Sequence, residues 1–239
     1  MQSLTNISLK TIVKKQVKWK AQLYISALSS LIILQIIFGV LLSSSGSGTS
    51  GLSLGNLEVR FTYYSLDMFL IVSAIWAFII GLLFTTKAYR MDDLSVISSR
   101  TSSALANILV MIIYSFIAVF IMISTHYLQV LWILLMEKKS FVIESLFISP
   151  STFILCFSSI CLFGAIGLLF GTSFKGPKVI KICLSTFMVF SFIYIFMAPN
   201  IIPLMMLSNL MISVLNLLAA LLCFSLTIWI ANKSEVSRK

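Results

Sequence analysis

The sequence predicts an all-α polytopic membrane protein with six transmembrane helices, an N-terminal interfacial helix and both termini cytoplasmic. Three observations carry that prediction. First, six apolar blocks of about 19 residues or more follow one another with almost no charge, and an α-helix of about 20 apolar residues crosses the ~30 Å hydrocarbon core with its own backbone groups satisfied. Second, hydrophobic residues make up 59% of the 239 and charged residues only 10%, which leaves no room for a soluble domain. Third, 14 of the 17 Lys and Arg residues sit on alternate connections, and the positive-inside rule places those connections in the cytoplasm.

The expected domains are an amphipathic interfacial helix over 1–20, a six-helix transmembrane domain over 21–231 and a cytoplasmic tail over 232–239. In the first, Leu9, Ile12, Val13, Val17 and Trp19 fall on one arc at 100° per residue, and Lys10, Lys14, Lys15 and Lys18 on the other. Such a helix lies in the headgroup plane, apolar face toward lipid. An elbow of this kind running into the first span is favoured over a generic basic flank. The first apolar block is too long for the h-region of a cleavable signal peptide.

The spans are placed at 21–42, 68–86, 104–125, 153–171, 180–198 and 203–231. Residues 43–51, SSSGSGTSG, read as a flexible external loop. Cys156, Cys161, Cys183 and Cys223 all fall within spans, where a thiol behaves as a small hydrophobe; no metal spacing or disulfide framework is implied.

Between the second and third spans runs KAYRMDDLSVISSRTSSALANIL. Asp92 or Asp93 can N-cap a short helix on which Leu94 and Ile97 share an apolar face. A helix so short is unstable alone and needs lipid headgroups or a protein to pack on. On composition alone, an ordinary solvated loop also fits. The order of features here, an apolar span, an Arg/Asp patch, Leu-Ser-x-x-x-Ser-Arg and small residues entering the next span, resembles the permeases of type-2 ATP-binding cassette exporters. The corresponding residues are Asp92, Asp93, Leu94, Ser99 and Arg100, with Ile97–Ser98 where that family often has proline. The whole layout is similar too. The resemblance implies that Asp92, Asp93, Leu94, Ile97, Ser99 and Arg100 form an ATPase-coupling loop docking on a separate nucleotide-binding subunit.

The third block continues past Thr125 through HYLQVLWILLM. Unbroken it would measure about 50 Å at 1.5 Å per residue, so a break is expected near His126, with an interfacial piece over 127–136. His126 itself reads as a polar residue at the membrane boundary rather than a proton relay. In the fourth span Gly164, Gly167 and Gly171 permit close helix approach, within the chain or between protomers. The neighbouring GTSFKGPK is not a phosphate-binding loop: Pro177 displaces the lysine, no Ser or Thr follows and no strand is expected before it. After the fifth span, Pro199 and Pro203 break the helix on the external side, followed by Leu204, Met205 and Met206. A tight external turn fits these residues. The resemblance implies an external gate built from the same five.

The net charge of +10 is scattered over the loops between spans, which argues for topology and against nucleic-acid binding. Ion-coupled carriers keep ionisable groups inside their spans, and intramembrane hydrolases need a nucleophile with a base or a metal cluster. Asp67 and Lys181 stand only at span ends, and one boundary histidine builds neither metal site. An enzyme is therefore not expected, nor any cofactor. The expected function is the permease subunit of an ABC exporter in the cell membrane, moving an amphipathic peptide, antibiotic or other hydrophobic cargo. Its implied partners are an ATP-binding cassette ATPase, a second permease copy or paralogue, and membrane lipid. The alternative is an ATP-independent immunity protein or a small channel.

Overall fold

The computed structural model describes residues 9–42, 47–54, 57–64, 66–86, 100–137, 148–173 and 208–236. Six helices carry its packed core: α1 (Leu9–Leu23), α2 (Ile25–Leu42), α3 (Asp67–Phe84), α4 (Arg100–Glu137), α5 (Pro150–Ser173) and α6 (Asn209–Val236). Among the described residues the strands are those of one antiparallel hairpin between α2 and α3, β1 (Ser47–Leu54) with β2 (Leu57–Tyr64).

Four of these helices, α3, α4, α5 and α6, are each long and apolar enough to cross a membrane. Helices α1 and α2, bent by 42° relative to each other, pass the same test of length and composition when taken as one span, which would make five. The bend falls at Tyr24, whose N–H still donates to the Lys20 carbonyl at 3.0 Å while its own carbonyl accepts from Ala27 N–H at 2.9 Å. The span expected at 180–198 lies outside the described residues. Along α1, Lys10, Lys14, Lys15 and Lys18 are exposed and Val13 is buried, as the amphipathic pattern requires. The buried face is covered by α4, however, so protein takes the place the sequence reading assigned to lipid.

Two expectations are corrected. Residues 47–51 are strand rather than flexible loop, paired in register from Ser47 opposite Tyr64 to Leu54 opposite Leu57. The reason is legible in LEVRFTYY, rich in β-branched and aromatic residues. Gly55 and Asn56, which lie between the strands in sequence, are of the kind two-residue hairpin connections favour. Nor is there a break near His126: α4 runs unbroken for 38 residues, through the segment expected to lie flat at 127–136. No Gly or Pro occurs between Arg100 and Glu137, so nothing interrupts the backbone ladder. At 1.5 Å per residue the helix measures about 57 Å, and the excess over the bilayer is taken up by tilt or by projection past it.

Helix α5 packs most extensively on α3 and α6, while α4 touches each of the other described helices. Glycines set the α3–α5 distance. A Cβ on Gly81 would lie 2.6 Å from the Gly164 carbonyl oxygen, and one on Gly167 would strike the Phe78 carbonyl oxygen. Close approach is thus within the chain, the first of the two arrangements the small residues allowed. Trp76, Ile80 and Phe84 of α3, Met111, Tyr114 and Met122 of α4 and Ile160 and Leu168 of α5 fill the space around this seam. Local chemistry starts α5: Pro150 occupies its first turn, and Ser149 Oγ accepts the Thr152 N–H at 3.3 Å. The outward faces stay apolar, with Ile32, Ile36, Ile75, Phe116, Phe120, Leu218 and Leu222 exposed, as suits a surface solvated by lipid tails.

Candidate functional site: the α1–α4 junction and an intramembrane polar bridge

Most of the side-chain hydrogen bonds between helices among the described residues fall in two places. The first is where α1 meets the beginning of α4. Lys20 sits on the buried face of α1, one turn past Gln16, and is only 2% exposed. Its ammonium donates to Asn107 Oδ1 at 2.5 Å and to Ser103 Oγ at 3.2 Å, both on α4. Asn107 Nδ2 in turn reaches the Phe84 carbonyl at 3.4 Å, at the end of α3. Tyr114 OH donates to the Ala21 carbonyl at 3.1 Å, a second strut between α4 and the end of α1. Tyr24, Phe84 and Tyr114 pack in succession as tilted ring pairs, with centroids 5.2 and 6.1 Å apart. Three helices therefore converge on one lysine.

The second place is deeper. Gln35 of α2 is fully buried; its Nε2 donates to Ser73 Oγ of α3 at 2.7 Å, and its Oε1 accepts from Thr125 Oγ1 of α4 at 2.7 Å. Ser73 Oγ in turn donates to the Phe69 carbonyl of its own helix at 2.7 Å, and the one Thr125 hydroxyl proton is shared between Gln35 Oε1 and the Ile121 and Met122 carbonyls, the two carbonyls each at 2.9 Å. Nearby, Trp76 Nε1 donates to the Ala27 carbonyl at 3.1 Å and to Ser30 Oγ at 3.2 Å. On the other side of the bundle Asn216 Nδ2 donates to Ser159 Oγ at 3.1 Å, joining α6 to α5. These bonds take the place that hydrophobic burial holds in water, because lipid gives apolar helices little reason to associate.

His126 follows Thr125 in the unbroken α4, its ring edge-on to Phe69 at 6.0 Å. Its Nδ1 is buried without a hydrogen-bond partner among the described residues. No group of His, Cys, Asp and Glu among the described residues could hold a metal ion.

Of the expected coupling loop, Arg100 is the first residue of α4; Asp92, Asp93, Leu94, Ile97 and Ser99 lie outside the described residues. So do Pro199, Pro203, Leu204, Met205 and Met206 of the expected gate. What the sequence reading missed is the company those residues keep. In the sequence Lys20 is one of the topology-setting charges before the first span, and Gln16, Gln35 and Asn107 belong to no motif. A lone amide in an otherwise apolar helix was the available signal for Gln35. Nothing in one dimension pairs Lys20 with a residue 87 positions later. Comparison with known proteins finds no family model, no curated protein and no solved structure that matches this chain.

Proposed function

We propose that this chain is the membrane-spanning permease subunit of an ATP-driven exporter, working with a separate ATP-binding cassette ATPase and a second permease copy or paralogue. The observation that carries the reading is the bent entry formed by α1 and α2, tied by Lys20 to the first turns of α4. The residues just before α4, Asp92 to Ser99, carry the resemblance to the coupling loop of type-2 exporters. A push on that loop would be delivered to Arg100 and, within about two turns of helix, to Ser103 and Asn107. From there the Lys20 bonds transmit it to the elbow and the Phe84 contact transmits it to α3. The struts of the junction thus supply a mechanical route from an ATPase-facing loop into the spans. Opening would occur at the far side, where Pro199, Pro203, Leu204, Met205 and Met206 form the gate. The exposed apolar faces suit a protein of the cell membrane, and the cargo is a hydrophobic or amphipathic molecule such as a peptide or antibiotic.

Charge reversal at Asp92 and Asp93 tests the reading. With both changed to lysine the chain should insert normally but lose co-purifying ATPase and export. A charge reversed at a desolvated pair costs several kcal/mol, against tenths at a solvated one. Full ATPase association and export by the double variant would remove the loop from the mechanism. A chain that never recruits an ATPase would leave the immunity-protein or channel reading in its place.

A further inference from the structure

Each strand of the β1–β2 hairpin packs on the other, and neither makes an extensive contact with a described helix. A two-stranded ribbon alone in water is marginal at best and needs a surface beneath it. The register says which face seeks one. Leu54 pairs with Leu57, Leu52 with Val59, Ser50 with Phe61 and Gly48 with Tyr63. The strand period of two therefore places Leu52, Leu54, Leu57, Val59, Phe61 and Tyr63 on one face of the ribbon, with only Gly48 and Ser50 among them. Thr49, Ser53, Glu58, Arg60 and Thr62 fall on the other face, with one charge of each sign. The hairpin is amphipathic by register.

Where the ribbon begins and ends limits what its apolar face can reach. In its last turn α2 touches the first turn of α3: a Cβ on Gly39 would lie 3.5 Å from the Phe69 ring. The hairpin thus springs from two adjacent helix ends at one edge of the bundle. Two residues separate Tyr64 from Asp67, which holds these Cα atoms within about 11 Å of each other. Strands of eight residues extend about 24 Å from that base. Raised into water, the ribbon would leave its apolar face uncovered. Sunk into hydrocarbon, its two open edges would leave backbone N–H and C=O groups without partners. The headgroup level meets both demands, as it does for an amphipathic helix. Phe61 and Tyr63 belong to the end of the ribbon nearest α3, and aromatic residues are enriched at that depth. We propose that the β1–β2 hairpin is a lipid-binding element, lying along the membrane surface with its Leu52–Val59–Phe61 face on the acyl boundary and its Glu58–Arg60 face in water. Because Glu58 and Arg60 cancel, the attachment is apolar and takes zwitterionic lipid as readily as anionic lipid. The inference needs only that the helices cross a membrane; it does not rest on the exporter reading.

The test reads each face separately on the full-length chain, reconstituted into phosphatidylcholine vesicles with and without a nitroxide on the upper acyl chain. Single cysteines replace Leu52, Val59 or Phe61 on one face and Glu58, Arg60 or Thr62 on the other, in a background lacking the native cysteines, and carry an environment-sensitive fluorophore. Positions 52, 59 and 61 should emit to the blue and be quenched by the nitroxide lipid, while 58, 60 and 62 keep aqueous emission and stay unquenched. Adding phosphatidylglycerol should leave the alternation unchanged. Six positions on two strands are read independently, so one variant that fails to fold does not hide the pattern. Aqueous emission at all six would overturn the proposal and leave the hairpin standing in water. Blue emission at 52, 59 and 61 without nitroxide quenching would overturn it too, because protein rather than lipid would then cover the face. Dilution to one chain per vesicle tells a second copy, whose cover is lost, from the chain itself, whose cover persists. Quenching seen only with phosphatidylglycerol would likewise refute an apolar attachment. Loss of ATPase recruitment has no bearing on these readings, so the two ideas fail separately.

Discussion

Gly167→Ala adds one methyl group where α5 crosses α3 backbone to backbone, and the structure specifies what that group meets. Its Cβ falls on the carbonyl oxygen of Phe78, with the Phe78 carbonyl carbon at 3.0 Å and Cα at 3.1 Å. Ordinary Cβ contacts begin near 3.4 Å, and all three atoms are backbone of α3, so no side-chain rotation relieves the overlap. The helices must separate, which also opens the contact Gly81 makes with Gly164. Overpacking of a well-filled interior costs about 1–3 kcal/mol, and a backbone-on-backbone overlap belongs at the upper end. Alanine returns about 1 kcal/mol in helix propensity. The net loss is about 2 kcal/mol, or roughly 4–8 °C for a chain of this length. Gly164→Ala is the matched control. Its Cβ would meet the Met111 side chain, with Cγ at 2.9 Å and Sδ at 3.1 Å, and a thioether chain can move aside. Its cost of about 1–2 kcal/mol is largely offset by the same propensity gain, leaving a shift of no more than ~1 kcal/mol. Melting curves from fluorescence-detected size-exclusion chromatography after heating would rank the two. If Gly167→Ala melts with the parent, or Gly164→Ala falls further than Gly167→Ala, then the α3–α5 seam is not packed backbone to backbone.

Gln35→Leu removes the bridge between Ser73 and Thr125, yet both hydroxyls keep carbonyl partners in their own helices. Interhelical bonds in membranes average about 0.6 kcal/mol and reach about 1.7, so a fall of roughly 2–4 °C is expected from the same heating assay; a collapse of expression would show instead that this amide is needed for assembly. Topology is checked with single cysteines at Ser47 and Lys175 in a cysteine-free background on intact cells. An impermeant thiol reagent should label position 47 and spare position 175, and the reverse pattern would invert the orientation inferred from the basic residues.

Much of this architecture is written in one dimension. The long apolar blocks require helices because lipid offers the backbone no other partner, and α3, α4, α5 and α6 stand close to where hydropathy places them. The segregation of four lysines on α1 and the small residues along α5 were equally legible, since both are helical periodicities. The hairpin was signalled by β2 but lost beside the Ser/Gly run that forms β1, a stretch whose composition resembles a linker. The length of α4 is not legible in hydropathy, because a crossing needs only about 20 residues while, without proline or glycine, nothing obliges a helix to stop there. What only the tertiary structure decides is partnership. Whether Gly167 faces a second protomer or Phe78, whether Gln35 meets lipid or Thr125, and whether Lys20 snorkels to water or reaches Asn107 all depend on which helices are neighbours. Periodicity says which face a residue occupies; it carries no information about what that face is turned against, because crossing partners are set by packing among distant segments.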